Sequence, residues 1–221
     1  MLERLGWVGR DCQSRGVGIL HTRERILDAV EHLVARYGIE ELRLHDVAEA
    51  VGIRIPSIYG HFESREALYE GLVDRYVKLT GEIFCYEEDF DPTTVLLDGI
   101  REWVRIMIEH PAFARLELRD MERTRGFSQM SERGVGVGED IERSPFAPLY
   151  GRLRRMLERG HELGQFCKLD VVWFIRVIGG TLVVGMAWPD QDLLSSDVSE
   201  AEMDRYVAEL QDLALRYLRA H

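Results

Sequence analysis

LRLHDVAEAVGIRIPSIYGHF, residues 42–62, is the stretch whose reading decides the fold. Leu44, Val47, Ala48 and Val51 recur at spacings of three and four, which puts them on one face of a short helix. His45, Asp46 and Glu49 fall on the opposite face, and the small Ala48 and Ala50 let a second helix cross closely. Gly52 follows the last apolar residue, where a left-handed cap is easiest for glycine. Ile53 then plugs the core, and Pro56 stands in the first turn of the next helix, where its missing N–H costs nothing. Ile58 and Phe62 point inward; Arg54, Ile55, Ser57 and Gly60 are left outside, and Tyr59 and His61 share the outer face. Two short helices around a tight glycine turn have the shape that lays one helix into the major groove of DNA.

The flanks support this reading. Over 22–37, Ile26, Val30, Leu33 and Tyr37 form an apolar stripe that Gly38 ends. Ser64 is the expected N-cap of a long helix through Arg65, Leu68, Leu72, Tyr76 and Leu79. TRERILDAVEHLVARYG, LHDVAEAVGIRIPSIYGHF and SREALYEGLV together resemble the DNA-binding domain of the TetR family of bacterial transcriptional regulators, over roughly residues 21–80. The cluster Gly52, Ile53, Ser57, Ile58, Tyr59, His61 and Phe62 makes the likeness more specific than a generic helix-turn-helix. The resemblance implies a homodimer with an all-helical C-terminal domain that binds a small molecule and forms the dimer interface. It also implies that Ser57, Tyr59, His61 and Arg65 hold phosphates while Arg54, Ile55, Pro56 and Gly60 face bases.

Two residues depart from the family pattern. Arg43 and Arg54 stand just before the second and third helices, where the family usually places Ser or Thr as a cap. Arginine has no acceptor, so each helix loses a side-chain cap worth about 1 kcal/mol. Arginine offers instead a fork for phosphate or for guanine O6/N7. Arg54 is therefore expected to read a base and Arg43 to hold a phosphate, against the alternative of two solvated surface arginines. Gly60 either lets the backbone approach DNA or reads nothing.

The 221 residues and 46% hydrophobic content suffice for two compact helical units. A formal net charge of -11 is unusual for a DNA binder, because phosphate neutralisation supplies most non-specific affinity. Over 21–62, Arg23, Arg25, Arg36, Arg43 and Arg54 are outnumbered by Glu24, Asp28, Glu31, Glu40, Glu41, Asp46 and Glu49. The segment 54–62 carries no acid, so weak non-specific binding and strong operator dependence are expected. Cys12, Cys85 and Cys167 are too few and too scattered for a disulfide framework, which suits the cytoplasm. His161 and Cys167 are two ligands and do not make a metal site, and no cofactor is expected. Residues 1–20 lack the apolar core of a signal peptide; they are expected to be a flexible arm, either touching the minor groove or without a role. The run 171–188 approaches a membrane span in length, but Arg176 and the pair Gly179–Gly180 argue for a buried interface helix instead.

The expected architecture is all-α: a flexible arm over 1–20, a three-helix helix-turn-helix domain over 21–65, and a helical effector-binding and dimerisation domain over 66–221. Within the last, Asp91–Pro92 opens a helix, His110–Pro111 breaks it, and a further helix runs over 112–125. Residues 126–143 form a glycine-bearing loop able to gate a pocket. Ser144–Pro145 opens the next helix, which ends near Gly160 or Gly164. Asp170 caps the apolar run, Trp188–Pro189 ends it, and Ser199 with Glu202 forms a capping box for the final helix. The last two helices are expected to be half of a four-helix bundle closed by a second copy, through Gly179, Leu182, Val183, Met186, Tyr206, Leu210, Leu213 and Tyr217. A two-fold axis would set the recognition helices about 34–36 Å apart on a near-palindromic operator. Trp103, Met107, Phe113, Leu116, Met121, Tyr150 and Trp173 are the apolar residues expected to line a ligand pocket or to be plain core. Arg176, set between apolar residues, is expected to hold an acidic ligand, to pair with a neighbouring carboxylate or to reach the helix edge. The leading expectation is a repressor released from its operator by a small-molecule effector of unread identity. The alternative is a helical protein-interaction or small-molecule-binding module that has lost DNA binding. Neither a nucleophile beside a base, a metal set nor a phosphate loop points to an enzyme.

Overall fold

A computed structural model describes residues 18–122, 144–186 and 198–219, with side chains from 21–117, 144–186 and 198–219. All regular structure among these residues is helical. The order is α1 (Gly18–Tyr37), α2 (Leu44–Val51), α3 (Ile55–Tyr59), α4 (Arg65–Leu79), α5 (Pro92–Glu109), α6 (Pro111–Glu122), α7 (Ala147–Glu162), α8 (Val171–Phe174), α9 (Gly180–Met186) and α10 (Glu200–Arg219). A π-helical stretch, Ile175–Gly179, makes α8 and α9 one continuous rod. The expected loop over 126–143, the stop at Trp188–Pro189, Cys12 and the first seventeen residues lie outside the described residues.

Local capping explains most boundaries. Ser64 accepts from Ala67 N at 3.1 Å to start α4. Asp91 accepts from Thr94 N at 2.8 Å to start α5, and Asp170 from Val172 N at 2.8 Å to start α8. Glu202 accepts from Ser199 N at 2.9 Å while Ser199 Oγ accepts from Glu202 N at 3.3 Å, which completes the capping box of α10. Two boundaries differ from expectation. Helix α1 begins at Gly18, so residues 18–20 are helix rather than arm. Helix α7 begins at Ala147 rather than at Ser144–Pro145, because the Ser144 hydroxyl accepts from Phe146 N in a turn ahead of the helix.

Helix α1 packs on α2 and α4 on one side and on α6 on the other. Its buried residues are accordingly Ile26, Leu27, Val30 and Val34, a stripe rotated from the expected one, with Leu33 only half-buried. Tyr37 is 55% exposed, with the Arg36 guanidinium 5.2 Å from its ring centre. In the C-terminal half α5 packs on α6, α7 and α10, and α6 packs on α9. Gln211 donates to Leu97 O at 2.8 Å, and Cys167 N to Leu218 O at 2.7 Å, tying α10 to its neighbours.

Candidate nucleic-acid interface

The α2–α3 corner is built as the residues require. Val47, Ala48 and Val51 are buried, and Gly52 takes φ 73°. Its N–H donates to Glu49 O, and Ile53 N donates to Ala48 O at 3.0 Å, which closes the helix end. Arg25 of α1 donates to the last carbonyl of α2, Val51 O, at 2.7 Å. Ile53 packs half-buried against the core. Ile58 and Phe62 are buried beneath α3. The Arg23 guanidinium stands 4.8 Å from the Phe62 ring centre, and a Cβ at Gly71 of α4 would come within 3.0 Å of both Phe62 and Leu27. Glycine at 71 therefore lets α4 press on the back of the unit.

The outer face of α3 is open. Arg54, Pro56, Ser57 and Gly60 are exposed, Tyr59 is 51% exposed, and His61 is half-exposed. Ile55 departs from expectation: it is half-buried and packs against the core, so at most one edge of it reaches outward. Arg43 and Arg54 occupy the N-cap positions of α2 and α3 in extended backbone geometry, and neither side chain caps its helix. Both are exposed. Arg65, expected to hold a phosphate, is exposed and also makes contacts within the chain. Its Nη2 donates to Ile39 O and to Glu40 O, pinning the turn after α1 onto the start of α4. A cleft lined by Ile39, Glu40, Arg65, Glu66 and Tyr69 lies at this joint.

Three of the seven acids of the segment, Glu24, Asp28 and Glu31, are engaged by α4. Glu24, Asp28 and Glu31 of α1 surround Arg75 of α4 at 2.9, 2.8 and 2.8 Å. Glu31 also meets His110 Nδ1 at 2.5 Å. Burial pushes the Glu31 carboxyl up, but the His110 and Arg75 bonds outweigh it and hold the group below the usual carboxylate range. Arg75 is held above its ordinary value by the same carboxylates, against the opposing effect of burial. This cluster was not visible in the sequence, since its members lie in α1, in α4 and at the α5–α6 corner, with no shared local pattern.

The expected pocket residues divide into two groups. Trp103, Met107, Phe113, Leu116 and Tyr150 are buried and contiguous with the core. Phe113 stacks on Tyr76 at 4.4 Å between centroids and faces Phe146 at 5.9 Å, and Phe146 lies 6.4 Å from Tyr150. Burial, helped by the Glu117 charge, raises the Tyr150 hydroxyl well above its ordinary value. Trp173 and Arg176 do not join them. Trp173 is 56% exposed, Arg176 is exposed, and the guanidinium lies 5.5 Å from the indole ring centre. The Arg176 charge is thus not between buried neighbours, because Phe174, Ile175 and Ile178 take the inward positions. The side chain of Met121 lies outside the described residues.

The expected dimer face also needs correction. Leu182, Val183, Met186 and Leu210 are buried within the single chain, and Gly179 faces inward, where a Cβ would come within 2.8 Å of the Trp103 indole. The α8–α9 rod is apolar on two sides, and packing on α6 and α7 claims this one. Tyr206 donates to Leu182 O at 3.1 Å across a gap that Gly185 leaves open, and burial pushes its hydroxyl up to about 12. Leu213, 38% exposed, and Tyr217, half-exposed, remain on the surface. On the rod, Trp173, Thr181 and Val184 are exposed and Val177 is half-buried, which gives a largely apolar outward stripe.

Among the described residues no group of His, Cys, Asp and Glu could hold a metal, and no helix is long and apolar enough to cross a membrane. Residues 26–72 match the family described as "Bacterial regulatory proteins, tetR family". The chain is 31% identical over 84 residues to the HTH-type transcriptional repressor ComR of Escherichia coli strain K12, covering 36% of this chain and 40% of that protein. It thus spans less than half the length of this relative. The TetR family transcriptional regulator PfmR from Thermus thermophilus shares the fold over 87% of this chain and 97% of its own, with TM-score 0.62 and 22% identity. FadR from Bacillus subtilis in complex with stearoyl-CoA shares it over 88% and 98%, with TM-score 0.59 and 16% identity.

Proposed function

We propose that this chain, whose residues 26–72 belong to the tetR family of bacterial regulatory proteins, is a cytoplasmic, DNA-binding transcriptional repressor that acts as a homodimer and is released by a small-molecule effector. The observation that carries this reading is α3: a helix with a buried underside whose outer face, Arg54, Pro56, Ser57, Tyr59 and Gly60, is open and free of acids. Arg54 reads a base edge and Arg43 holds a phosphate. Ser57, Tyr59 and His61 add phosphate contacts, while Pro56, Gly60 and the exposed edge of Ile55 face bases. Arg65 acts chiefly by fixing the turn before α2. The reading unit is residues 21–65, and the rest of the chain regulates it.

The second copy docks on the outward stripe Trp173, Val177, Thr181 and Val184, together with Leu213 and Tyr217 of α10. A two-fold axis there presents two α3 helices about 34–36 Å apart to successive major grooves. The effector enters among α5, α6 and α7, next to Trp103, Met107, Phe113, Leu116 and Tyr150. A structural neighbour is a complex with stearoyl-CoA, which supports small-molecule binding by a chain of this fold. Binding of effector and binding of operator then oppose each other through linkage. A gel-shift series against DNA upstream of the protein's own gene, at several salt concentrations, tests the reading. One retarded dimer complex that weakens with salt supports it. No retardation at low salt removes it and leaves a helical interaction module.

A further inference from the structure

The fifteen residues of α4 are held at both ends. At its start, Arg65 donates to Ile39 O and Glu40 O, and Gly71 lets the helix press on Phe62 and Leu27, so this end moves with α2 and α3. At its finish the chain turns through Thr80–Glu82 toward α5, and α7 packs on that turn. Thr80 Oγ1 donates back to Tyr76 O at 2.7 Å. Arg152 of α7 spreads its guanidinium over two carbonyls of the turn: Nη2 donates to Gly81 O at 2.6 Å and Nε to Ile83 O at 3.2 Å. The Tyr86 hydroxyl donates in return to Arg152 O at 3.0 Å.

The next residue is strained. Phe84 takes φ 57°, the one positive value outside glycine among the described residues. An aromatic residue keeps that geometry only where its surroundings hold it there. Its ring is buried against Gly99 of α5, where a Cβ would stand 2.2 Å from it. The end of α4, α5 and α7 thus meet in one joint. A second support lies elsewhere: α1 packs on α6, and Tyr76 stacks on Phe113. One support leaves the reading unit free to swing about it, and two fix its direction. Helix α4 is about 22 Å long, so a tilt of about five degrees at the joint moves its far end by about 2 Å.

We propose that Arg152 is a positioning residue for DNA recognition: by fixing the joint over 80–84 it sets the half-site spacing that the two α3 helices accept. Arg152 does not hold the two halves together, since the α1–α6 packing persists without it. It fixes where the far end of α4 points. The consequence for spacing rests on the reading of the chain as a DNA-binding dimer, whereas the joint itself does not.

The test uses the full chain and the upstream DNA fragment that the gel shift retards, resynthesised with its half-sites one base pair closer or farther apart. Wild type is expected to prefer the native spacing about tenfold. Arg152→Met, which keeps the apolar stem and loses the fork, should lower that preference to about threefold or less while binding unrelated DNA as wild type does. Arg152→Lys, which still donates to one carbonyl, should keep the native preference. Gln165, in the turn after α7, is the control: it donates to Asp91 Oδ1 at 2.8 Å and accepts from Thr93 Oγ1 at 3.0 Å. Gln165→Ala should cost stability and leave the spacing preference unchanged. An unchanged preference in Arg152→Met, with or without a uniform loss of affinity, overturns the proposal, and so does the same flattening in Gln165→Ala. If wild type retards no DNA, the functional reading fails and hydrogen exchange decides the joint. Amides over 76–83 should then exchange about tenfold faster in Arg152→Met than in wild type or Gln165→Ala, and equal rates overturn it.

Discussion

At Arg54 the backbone already has the extended form of an N-cap, φ -89° and ψ 149°, yet the side chain caps nothing and stands in solvent. A residue that leaves a helix end unserved and carries a planar fork is suited to guanine O6/N7. Arg54→Ala is expected to lower operator affinity by about 1–3 kcal/mol and to relax preference at one base position. Selection from an operator library randomised at each position measures this, and an unaltered preference would count against base reading. Arg43 allows a complementary test. Arg43→Ser places an acceptor where the geometry, φ -113° and ψ 134°, already suits one. It should raise stability by about 1 kcal/mol in urea unfolding while reducing the salt slope of DNA binding by about 1.

At the scale of elements, the reading unit depends on how α1 and α4 hold α2 and α3. The αL residue Gly52 has open space around its Cβ position, so Gly52→Ala is opposed by its φ of 73° alone. A loss of about 1–2 kcal/mol in thermal or chemical unfolding is expected. The α1–α4–corner cluster gives a pH signature. Glu31 is held below its ordinary value of 4.5 in the folded chain, so the unfolded chain binds the proton more readily. Its stabilising effect is complete above that pH and is lost as pH falls through the folded value. The melting-temperature gap between wild type and Glu31→Gln should therefore be widest near neutrality and narrow below about pH 4.5. A gap that widens in acid would show that Glu31 is not the group held low.

For the whole molecule, the two apolar sides of the α8–α9 rod make opposite predictions. Val184 is 43% exposed and Val183 is fully buried. Val184→Asp should leave a folded chain that runs as a monomer in light scattering and has lost cooperative operator binding. Val183→Asp buries a charge without a partner and should unfold the chain. A folded dimer from Val184→Asp would place the interface elsewhere.

The sequence by itself determined which segments are helical and, apart from Ile55, which residues of α3 face outward. Caps at Ser64, Asp91, Asp170 and Ser199, the left-handed Gly52 and the stripe of α2 are local, set within one or two turns by hydrogen bonding and period. Arg43 and Arg54 as uncapping N-caps were legible for the same reason. Tertiary structure alone decided which apolar face goes inward. On the rod, Leu182 and Val183 pack inside while Trp173 and Val184 face out, because residue chemistry on both sides is alike and packing on α6, α7 and α10 breaks the tie. It also decided that Trp173 and Arg176 stack on the surface, that Arg65 pins a turn, and that Glu31, Arg75 and His110 meet. Those contacts join residues up to seventy-nine positions apart, and no local periodicity records a distance of that kind.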